Sequence, residues 1–157
     1  MGVGKTTVGR LLATALDRPF YDTDSYLEAA TGRTVADFFL KHQEPEFRER
    51  EAEAVRELVA KGAVVIALGG GALLNDGSRS LLRERSVLVH LDVPWEELRE
   101  RIPSLVATRP LMRGRTLTEI HQLYLEREVT YQAAELQISI GQRTPDEAAA
   151  DVLGALS

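Results

Sequence analysis

The segment Gly2-Val3-Gly4-Lys5-Thr6-Thr7 joins a glycine-rich turn to the start of a helix, an arrangement typical of one class of α/β fold. Apolar residues follow at the spacing of one helical face: Val8, Leu11, Leu12, Ala15 and Leu16. Glycines let successive backbone N–H groups turn inward around phosphate oxygens, and the helix N-terminus adds a partial positive charge. Lys5 suits the β- and γ-phosphates of a nucleotide, and the Thr6 hydroxyl suits Mg²⁺. The stretch predicts a phosphate-binding loop; the alternative is a glycine-rich helix start without a ligand.

The complete form of this loop, the Walker A pattern G-x-x-x-x-G-K-[ST], is longer than the stretch found here. With Gly4 as its second glycine, the first would fall before Met1. The buried strand that leads into such a loop is central in doubly wound sheets, and its neighbours depend on it for backbone hydrogen bonds. We therefore expect that the first strand is missing at the N-terminus of this chain. A nucleotide-binding domain with little or no turnover is an alternative for that reason.

Composition limits the class of protein. The chain has 157 residues, of which 44% are hydrophobic, with 19 Lys+Arg against 24 Asp+Glu, a net charge of −5. The absence of cysteine excludes thiol catalysis and cysteine-based zinc sites. The acidic balance argues against a general nucleic-acid binder, and no apolar run approaches the ~20 residues that span a membrane. We expect a single domain over residues 1–157, monomeric and cytoplasmic, without a secretion signal.

Short apolar runs alternate with helical periodicity along the chain. Strands are predicted at residues 18–21, 63–68, 86–91 and 136–140. Helices are predicted at 6–17, 25–30, 35–42, 45–61, 77–85, 94–101, 117–134 and 145–156. The two middle strands are almost continuously apolar, which is typical of strands buried on both faces of a parallel sheet. The fold class is α/β with a mostly parallel sheet.

Two aspartates follow the first predicted strand, in Tyr21-Asp22-Thr23-Asp24. Open α/β sheets bind ligands at the carboxyl ends of their strands. One carboxylate can hold Mg²⁺ and the other can accept a proton from a substrate hydroxyl, the two tasks that phosphoryl transfer sets for acids. The alternative is a helix-capping aspartate beside a solvated one. Their place after a phosphate loop favours the catalytic interpretation.

Two further segments are candidates for a binding site, and a third has an ordinary structural interpretation. Gly69-Gly70-Gly71 follows a buried strand and offers more backbone freedom than a turn requires, which favours close approach to a ligand. The loop from Thr108 to Arg115 is rich in arginine and is interpreted as a lid over phosphate; the alternative is an exposed basic loop. The charge-dense helix that contains Phe47, Arg48 and Glu51 is interpreted mainly as a solvated face.

The aromatic and histidine residues give no functional signal. His42, His90 and His121 form no ligand pattern in the sequence and are interpreted as structural. Trp95, in the first turn of a predicted helix, is interpreted as a packing residue.

Taken in order, these motifs resemble the shikimate kinase family. The segments that carry the resemblance are Gly-Lys-Thr-Thr at 4–7, Asp-Thr-Asp at 22–24, Thr-Gly-Arg at 31–33, Glu-Phe-Arg at 46–48, Gly-Gly-Gly at 69–71, Arg-Pro-Leu at 109–111, and Arg127 with Tyr131. The resemblance covers essentially the whole chain. The Walker A fragment alone would indicate only a protein that binds a nucleoside triphosphate.

The resemblance implies a three-layer P-loop NTPase fold with a parallel sheet of order 2-3-1-4-5, and a lid at about 109–118. It implies transfer of the ATP γ-phosphate to the 3-hydroxyl of shikimate, in aromatic amino acid biosynthesis, with ATP and Mg²⁺ as cofactors. The implied nucleotide-binding residues are Gly2, Gly4, Lys5, Thr6, Thr7, Arg101, Arg109 and Pro145, and the metal ligands are Thr6 and Asp22. The implied shikimate-binding residues are Asp24, Phe47, Arg48, Glu51, Gly69, Gly70, Gly71 and Arg127. Lys5, Asp24 and Arg109 are the implied catalytic residues, with Asp24 as the base.

A rival within the same class is another small-molecule P-loop kinase, such as one that acts on gluconate. Arg48 and Arg127 together favour a substrate with a carboxylate, because the guanidinium fork matches carboxylate geometry. Spacing alone does not decide the substrate. The negative net charge is no obstacle to binding two anions, since the cations gathered in one cleft set the local potential.

Overall fold

The computed structural model describes residues 2–41, 43–106 and 112–157. Within them the α-helices are α1 (Lys5–Ala15), α2 (Thr23–Thr31), α3 (Val35–Leu40), α4 (Glu44–Ala60), α5 (Asp76–Arg85), α6 (Trp95–Val106), α7 (Leu117–Tyr131) and α8 (Pro145–Leu156). The strands are β1 (Phe20–Asp22), β2 (Val65–Ala67), β3 (Val89–Asp92) and β4 (Leu136–Ser139), and a 3₁₀ turn spans Ala72–Leu74. Every predicted helix and strand has a counterpart. No helix in these ranges combines the length and the apolar character needed to cross a bilayer.

Most helix ends follow from local sequence signals. Thr144 begins α8 with a capping box, in which its hydroxyl accepts from the backbone N–H of Glu147 and the Glu147 carboxylate accepts from the backbone N–H of Thr144. Gly32 ends α2 in the left-handed conformation, with φ 66°. The predicted end of α6 at residue 101 is wrong, because the helix continues through Pro103 to Val106.

The strands form two parallel pairs in the described part of the chain. Strand β1 pairs with β2, with Tyr21 opposite Ile66, and β3 pairs with β4, with Leu91 opposite Ile138. The prediction of parallel strands in an α/β fold is confirmed. The four strands do not form one continuous sheet, because β2 and β3 are not paired with each other.

A groove of 550 Å³ lies between β2 and β3. Its walls include residues 63–68 and 85–89, and Val8 and Leu12 of α1 contribute to its lining. The prediction that the two middle strands are buried on both faces is wrong in part, since Val65, Ile66 and Val89 are only half-buried. The physical reason is that the inner edges of β2 and β3 face this groove instead of another strand.

Helix α1 connects the two pairs of strands. It contacts β1 and β2 on one side and α8 on the other. Val8 and Leu12 of α1 share an apolar core with Leu91 of β3 and Val152 of α8. A separate core holds Leu27 of α2, Phe38 of α3 and Phe47 of α4 together. The N-terminal end of α1 lies beside the carboxyl end of β1. The candidate active site is at this end of the molecule.

Candidate active site

The phosphate loop has the backbone that its glycines predict. Gly4 precedes α1 with φ 83°, and Gly2 has φ 62°. L-residues rarely adopt these angles, so a side chain at either position would strain the loop. Lys5 is the first residue of α1, so its backbone N–H group lies at the positive end of the helix dipole.

The two residues implied as metal ligands are in direct contact. The Thr6 hydroxyl donates to Asp22 Oδ2 over 2.8 Å. The other carboxylate oxygen of Asp22 accepts from the backbone N–H groups of Asp24, at 3.1 Å, and Ser25, at 3.3 Å, so Asp22 also caps α2. The capping alternative and the ligand interpretation are therefore compatible. A hydroxyl and a carboxylate are hard oxygen donors of the kind that Mg²⁺ prefers, so the pair fits this ion.

Each of the three consecutive glycines faces a charged side chain. A Cβ atom placed on Gly69 would lie 2.6 Å from both Asp24 Oδ1 and Glu51 Oε1, and one on Gly70 would lie 2.5 Å from Arg127 Nη1. A Cβ on Gly71 would overlap the Arg48 guanidinium. The glycine segment therefore lets two carboxylates and two guanidinium groups approach one stretch of backbone.

Thr23 fixes the glycine segment to the first strand, a role that the sequence analysis missed. Its side chain is 1% exposed, and its hydroxyl accepts from the backbone N–H of Gly69 over 2.7 Å. Its place between the two aspartates, at the carboxyl end of β1, is the signal that could have revealed it. The bond holds Asp24 close to Gly69.

Glu51 is buried, although it belongs to a helix interpreted as mainly solvated. It is 3% exposed, and its carboxylate accepts from Arg48 Nη1 over 2.9 Å. Arg48 also donates to the exposed Glu44 over 3.0 Å. Burial raises the pKa of Glu51, the positive charge of Arg48 opposes that rise, and the negative charge of Asp24 adds to it. The solvated interpretation is wrong at this position, because α4 turns Glu51 toward the glycine segment.

The raised pKa of Glu51 gives a pH dependence of stability. The folded state holds the Glu51 proton more tightly than the unfolded chain, so this contribution is fully present below the ordinary pKa of 4.5 and is lost as the pH rises through the raised value. We expect the free energy of unfolding of the wild type, minus that of Glu51→Gln, to fall as the pH rises above 4.5. Urea unfolding of both proteins at a series of pH values measures this difference, and a flat difference would contradict the prediction.

Arg127 of α7 contacts the glycine segment at Gly70. It is 5% exposed, and its Nη1 donates to the Gly70 carbonyl oxygen. The Tyr131 hydroxyl donates to the same oxygen over 2.8 Å. Arg127 Nε is buried without a hydrogen-bond partner among the residues that the structure describes. A buried donor without an acceptor is costly in a folded protein, so this N–H group is suited to an anionic ligand.

Alanine at Gly70 tests the crowding around Arg127. Because the new Cβ would meet the Arg127 guanidinium, we expect Gly70→Ala to displace it and to weaken the binding of an anionic ligand at this site about tenfold. Gly154→Ala is the matched control, since Gly154 lies within α8 with open space around it and alanine there should leave ligand binding unchanged. The KM of the acceptor substrate, from steady-state kinetics, measures both effects, and an unchanged KM in Gly70→Ala would contradict this arrangement.

Phe47 and Arg101 are two other predicted site residues whose contacts the structure describes. Phe47 packs among Phe38 and Phe39 in an apolar core, with the Arg48 guanidinium 5.2 Å from its ring centre. Arg101 of α6 donates to the carbonyl oxygen of Gly141, in the turn that leads to Pro145, over 3.3 Å.

Three further predicted site features are Thr7 in the first turn of α1, Arg109, and the lid. Thr7 is exposed in the first turn of α1. Arg109 lies outside the described residues, as does His42. Of the predicted lid, residues 112–118 are described, and they begin with Met112, which is 1% exposed and packs against Ile102 and Ile120.

Comparison with known proteins gives a match along the whole chain. The family model described as "Shikimate kinase" matches residues 1–157. A shikimate kinase from Cereibacter sphaeroides is 38% identical over 162 residues, covering 100% of this chain and 79% of the relative. One from Thermobifida fusca is 42% identical over 149 residues, covering 94% of this chain and 86% of the relative.

Solved structures agree with the sequence relatives. A crystal structure of shikimate kinase from Aquifex aeolicus superimposes with a TM-score of 0.87 at 33% identity, covering 99% of this chain and 91% of that one. Shikimate kinase from Acinetobacter baumannii, in complex with shikimate, gives a TM-score of 0.84 at 32% identity, covering 99% and 88%. From the family match over every residue and these full-length similarities, we conclude that this chain belongs to the shikimate kinase family.

Proposed function

We propose that this chain catalyses the ATP-dependent phosphorylation of shikimate, at its 3-hydroxyl, to give shikimate 3-phosphate and ADP. The single observation that carries the proposal is the set of charged side chains around Gly69–Gly71, next to the contact between Thr6 and Asp22. Carboxylates and guanidinium groups at one stretch of backbone can bind an acceptor that has both hydroxyls and a carboxylate. Family membership makes shikimate that acceptor.

The two arginines bind the shikimate carboxylate in this proposal. Arg48 of α4 and Arg127 of α7 approach consecutive glycines, and the positive charges of both act on Glu51. The buried Nε–H of Arg127, without a partner among the described residues, supports this role because a carboxylate oxygen would satisfy it. Glu51 holds Arg48 through its 2.9 Å hydrogen bond and thereby orients the guanidinium.

Asp24 accepts the proton of the substrate hydroxyl. As that oxygen forms its bond to the γ-phosphorus, the bond from phosphorus to the β–γ bridging oxygen breaks, and ADP leaves with the electron pair. Asp24 lies at the start of α2 and at the edge of the glycine segment, which supports its role as the base. Asp22 accepts hydrogen bonds from the Thr6 hydroxyl and from the α2 backbone, so the two aspartates have separate tasks.

Lys5 and the backbone of the phosphate loop bind the nucleotide phosphates. Thr6 and Asp22 are the residues that would hold Mg²⁺, which when bound reduces the negative charge on the phosphates. Arg109, in the lid proposed for residues 109–118, would neutralise charge on the transferred group. Thr7 belongs to the same phosphate site, and Arg101 and the start of α8 at Pro145 would flank the adenine.

The first test is ADP release by the purified chain with Mg·ATP, with and without shikimate. Shikimate-dependent turnover that disappears in Lys5→Ala supports the proposal. Turnover with gluconate and not with shikimate would indicate the rival small-molecule kinase. ATP binding without ADP release in a folded sample would indicate a nucleotide-binding domain without turnover. Either result would overturn the proposal.

The proposed sheet has order 2-3-1-4-5, where β1 to β4 are strands 2 to 5. Two observations support it: each existing pair is parallel, and the inner edges of β2 and β3 face the 550 Å³ groove above α1. A strand in this groove would join the pairs. An apolar extension of about six residues ahead of Met1 should raise the Tm, whereas a Gly/Ser extension of equal length should not. Equal Tm values for the two would contradict the order.

The proposed domain is one unit over residues 1–157 that works as a cytoplasmic monomer, with shikimate as its small-molecule partner and without a nucleic-acid or membrane partner. The net charge of −5 supports the absence of a nucleic-acid partner. Light scattering coupled to gel filtration measures the molar mass. A mass near twice 17.4 kDa would contradict the monomer.

A further inference from the structure

A second polar cluster lies between β3 and α7, where His90 and Glu128 line a cavity that Lys5 and Gly70 also border. His90 and Asp92 point to the same face of β3, because side chains two residues apart in a strand share a face. Glu128 of α7 meets them there, and one donor atom from each of the three residues lies within 4.8 Å of the other two. All three residues are half-buried. His90 was interpreted as structural because the histidines form no ligand pattern in the sequence, and Glu128 comes from a distant element.

The imidazole ring of His90 is held in one orientation. Its Nδ1 lies 3.3 Å from Gln137 Oε1 of the neighbouring strand, and its ring packs against Tyr131 with 5.1 Å between ring centres. Oε1 is an amide oxygen that only accepts, so it is a suitable partner for an N–H group at Nδ1. The other ring nitrogen, Nε2, lies 3.6 Å from Glu128 Oε1. A hydrogen bond at the ring nitrogen opposite the ligating one is typical of a histidine that ligates a metal.

The electrostatics of the cluster call for a cation. Two carboxylates and an imidazole nitrogen converge in a half-buried space, where electrostatic interactions are screened less than in bulk water. One nitrogen and two oxygen donors form a catalytic-type zinc set, which leaves a fourth position for water. Donor atoms around a tetrahedral Zn²⁺ lie about 3.3 Å apart, so the 3.6 Å between His90 Nε2 and Glu128 Oε1 is close to what the ion needs.

We propose that His90, Asp92 and Glu128 form a binding site for a divalent transition-metal ion, with Zn²⁺ the best match. The donor set differs from that of Thr6 and Asp22, which offer oxygen alone. Imidazole nitrogen favours Zn²⁺ over Mg²⁺, so the two sites select different ions. The rival is a simple ion pair between a protonated His90 and Glu128, which needs no metal.

The test is titration of the chelator-stripped full chain with Zn²⁺, in an excess of Mg²⁺ that covers the oxygen-only site. We expect one equivalent of Zn²⁺ to bind, and the affinity to fall at least tenfold in His90→Gln and in Glu128→Gln. His121→Gln is the matched control, because His121 stacks on Trp95 outside the cluster and its loss should leave the affinity unchanged. Co²⁺ in place of Zn²⁺ should give a visible absorption band that disappears in His90→Gln.

Several results would overturn the proposal. One is that the folded wild type binds no Zn²⁺ in the titration. Another is that the wild type, His90→Gln and Glu128→Gln bind Zn²⁺ with equal affinity. A third is that Zn²⁺ binding is lost in Thr6→Ala and kept in the cluster variants. Circular dichroism without metal confirms that each variant is folded. If His90→Gln does not fold, Glu128→Gln alone decides, because its side chain keeps 26% exposure and the substitution is nearly isosteric.

Discussion

Asp24→Asn should lower kcat by about 10²- to 10⁴-fold while the shikimate KM changes little. The amide has the shape of the carboxylate but cannot take the proton from the acceptor hydroxyl. The backbone N–H of Asp24 still donates to Asp22, so the start of α2 is unaffected. Coupled measurement of ADP release, with shikimate and ATP varied in turn, separates kcat from KM.

Asp76→Asn is the control for this substitution. Asp76 is an exposed first-turn residue of α5, paired with Arg79 on the surface, so its change should leave both constants as they are. An Asp24→Asn protein with wild-type kcat and an unchanged Tm would show that Asp24 is not the base.

Arg48→Met should both destabilise the protein and weaken shikimate binding. The buried Glu51 carboxylate would lose its closest cation, which costs about 3 kcal/mol, at the lower end for a broken buried pair because the Arg48 side chain keeps 23% exposure. Loss of a charge-assisted contact to the shikimate carboxylate should raise KM about 10- to 100-fold. Urea unfolding measures the first effect and steady-state kinetics the second.

The double variant Arg48→Met/Glu51→Gln separates these two effects. Removing the buried charge should restore most of the free energy of unfolding, because glutamine carries no ionic desolvation penalty. The shikimate KM should stay as high as in Arg48→Met. If restoring stability also restored KM, Arg48 would act through the fold and not through contact with the substrate.

Much of the fold follows from local signals in the sequence. The helices and strands of the described residues arise where periodicity and capping residues place them, since these signals act within a few residues. The end of α6 was missed because an interior proline usually stops a helix, and here the turn that contains Pro103 is tolerated. The partial burial of Val65 and Val89 was missed because it depends on whether β2 and β3, which are distant in the sequence, pair with another strand at their inner edges.

Less of the candidate site than of the fold could be predicted from the sequence. The glycine segment and Asp24 can be found from their position after strands, because open α/β sheets place ligands there. The burial of Glu51 and the bond from Gly69 to Thr23 depend on tertiary contacts between α4, β1 and β2, which periodicity cannot describe. The cluster at His90 was missed for the same reason, since residue 128 lies on another element.

The groove between β2 and β3 has a consequence for how ligands stabilise the chain. No strand-to-strand hydrogen bond in the described residues links the β1–β2 pair to the β3–β4 pair, and α1 is one of the elements that connect them, through its contacts with β2 and α8. A ligand that binds at the N-terminal end of α1 acts on both halves of the molecule at once. We expect amide hydrogen exchange in β2 and β3 to slow together when ADP binds, as one cooperative unit, instead of only in the strands near the adenine.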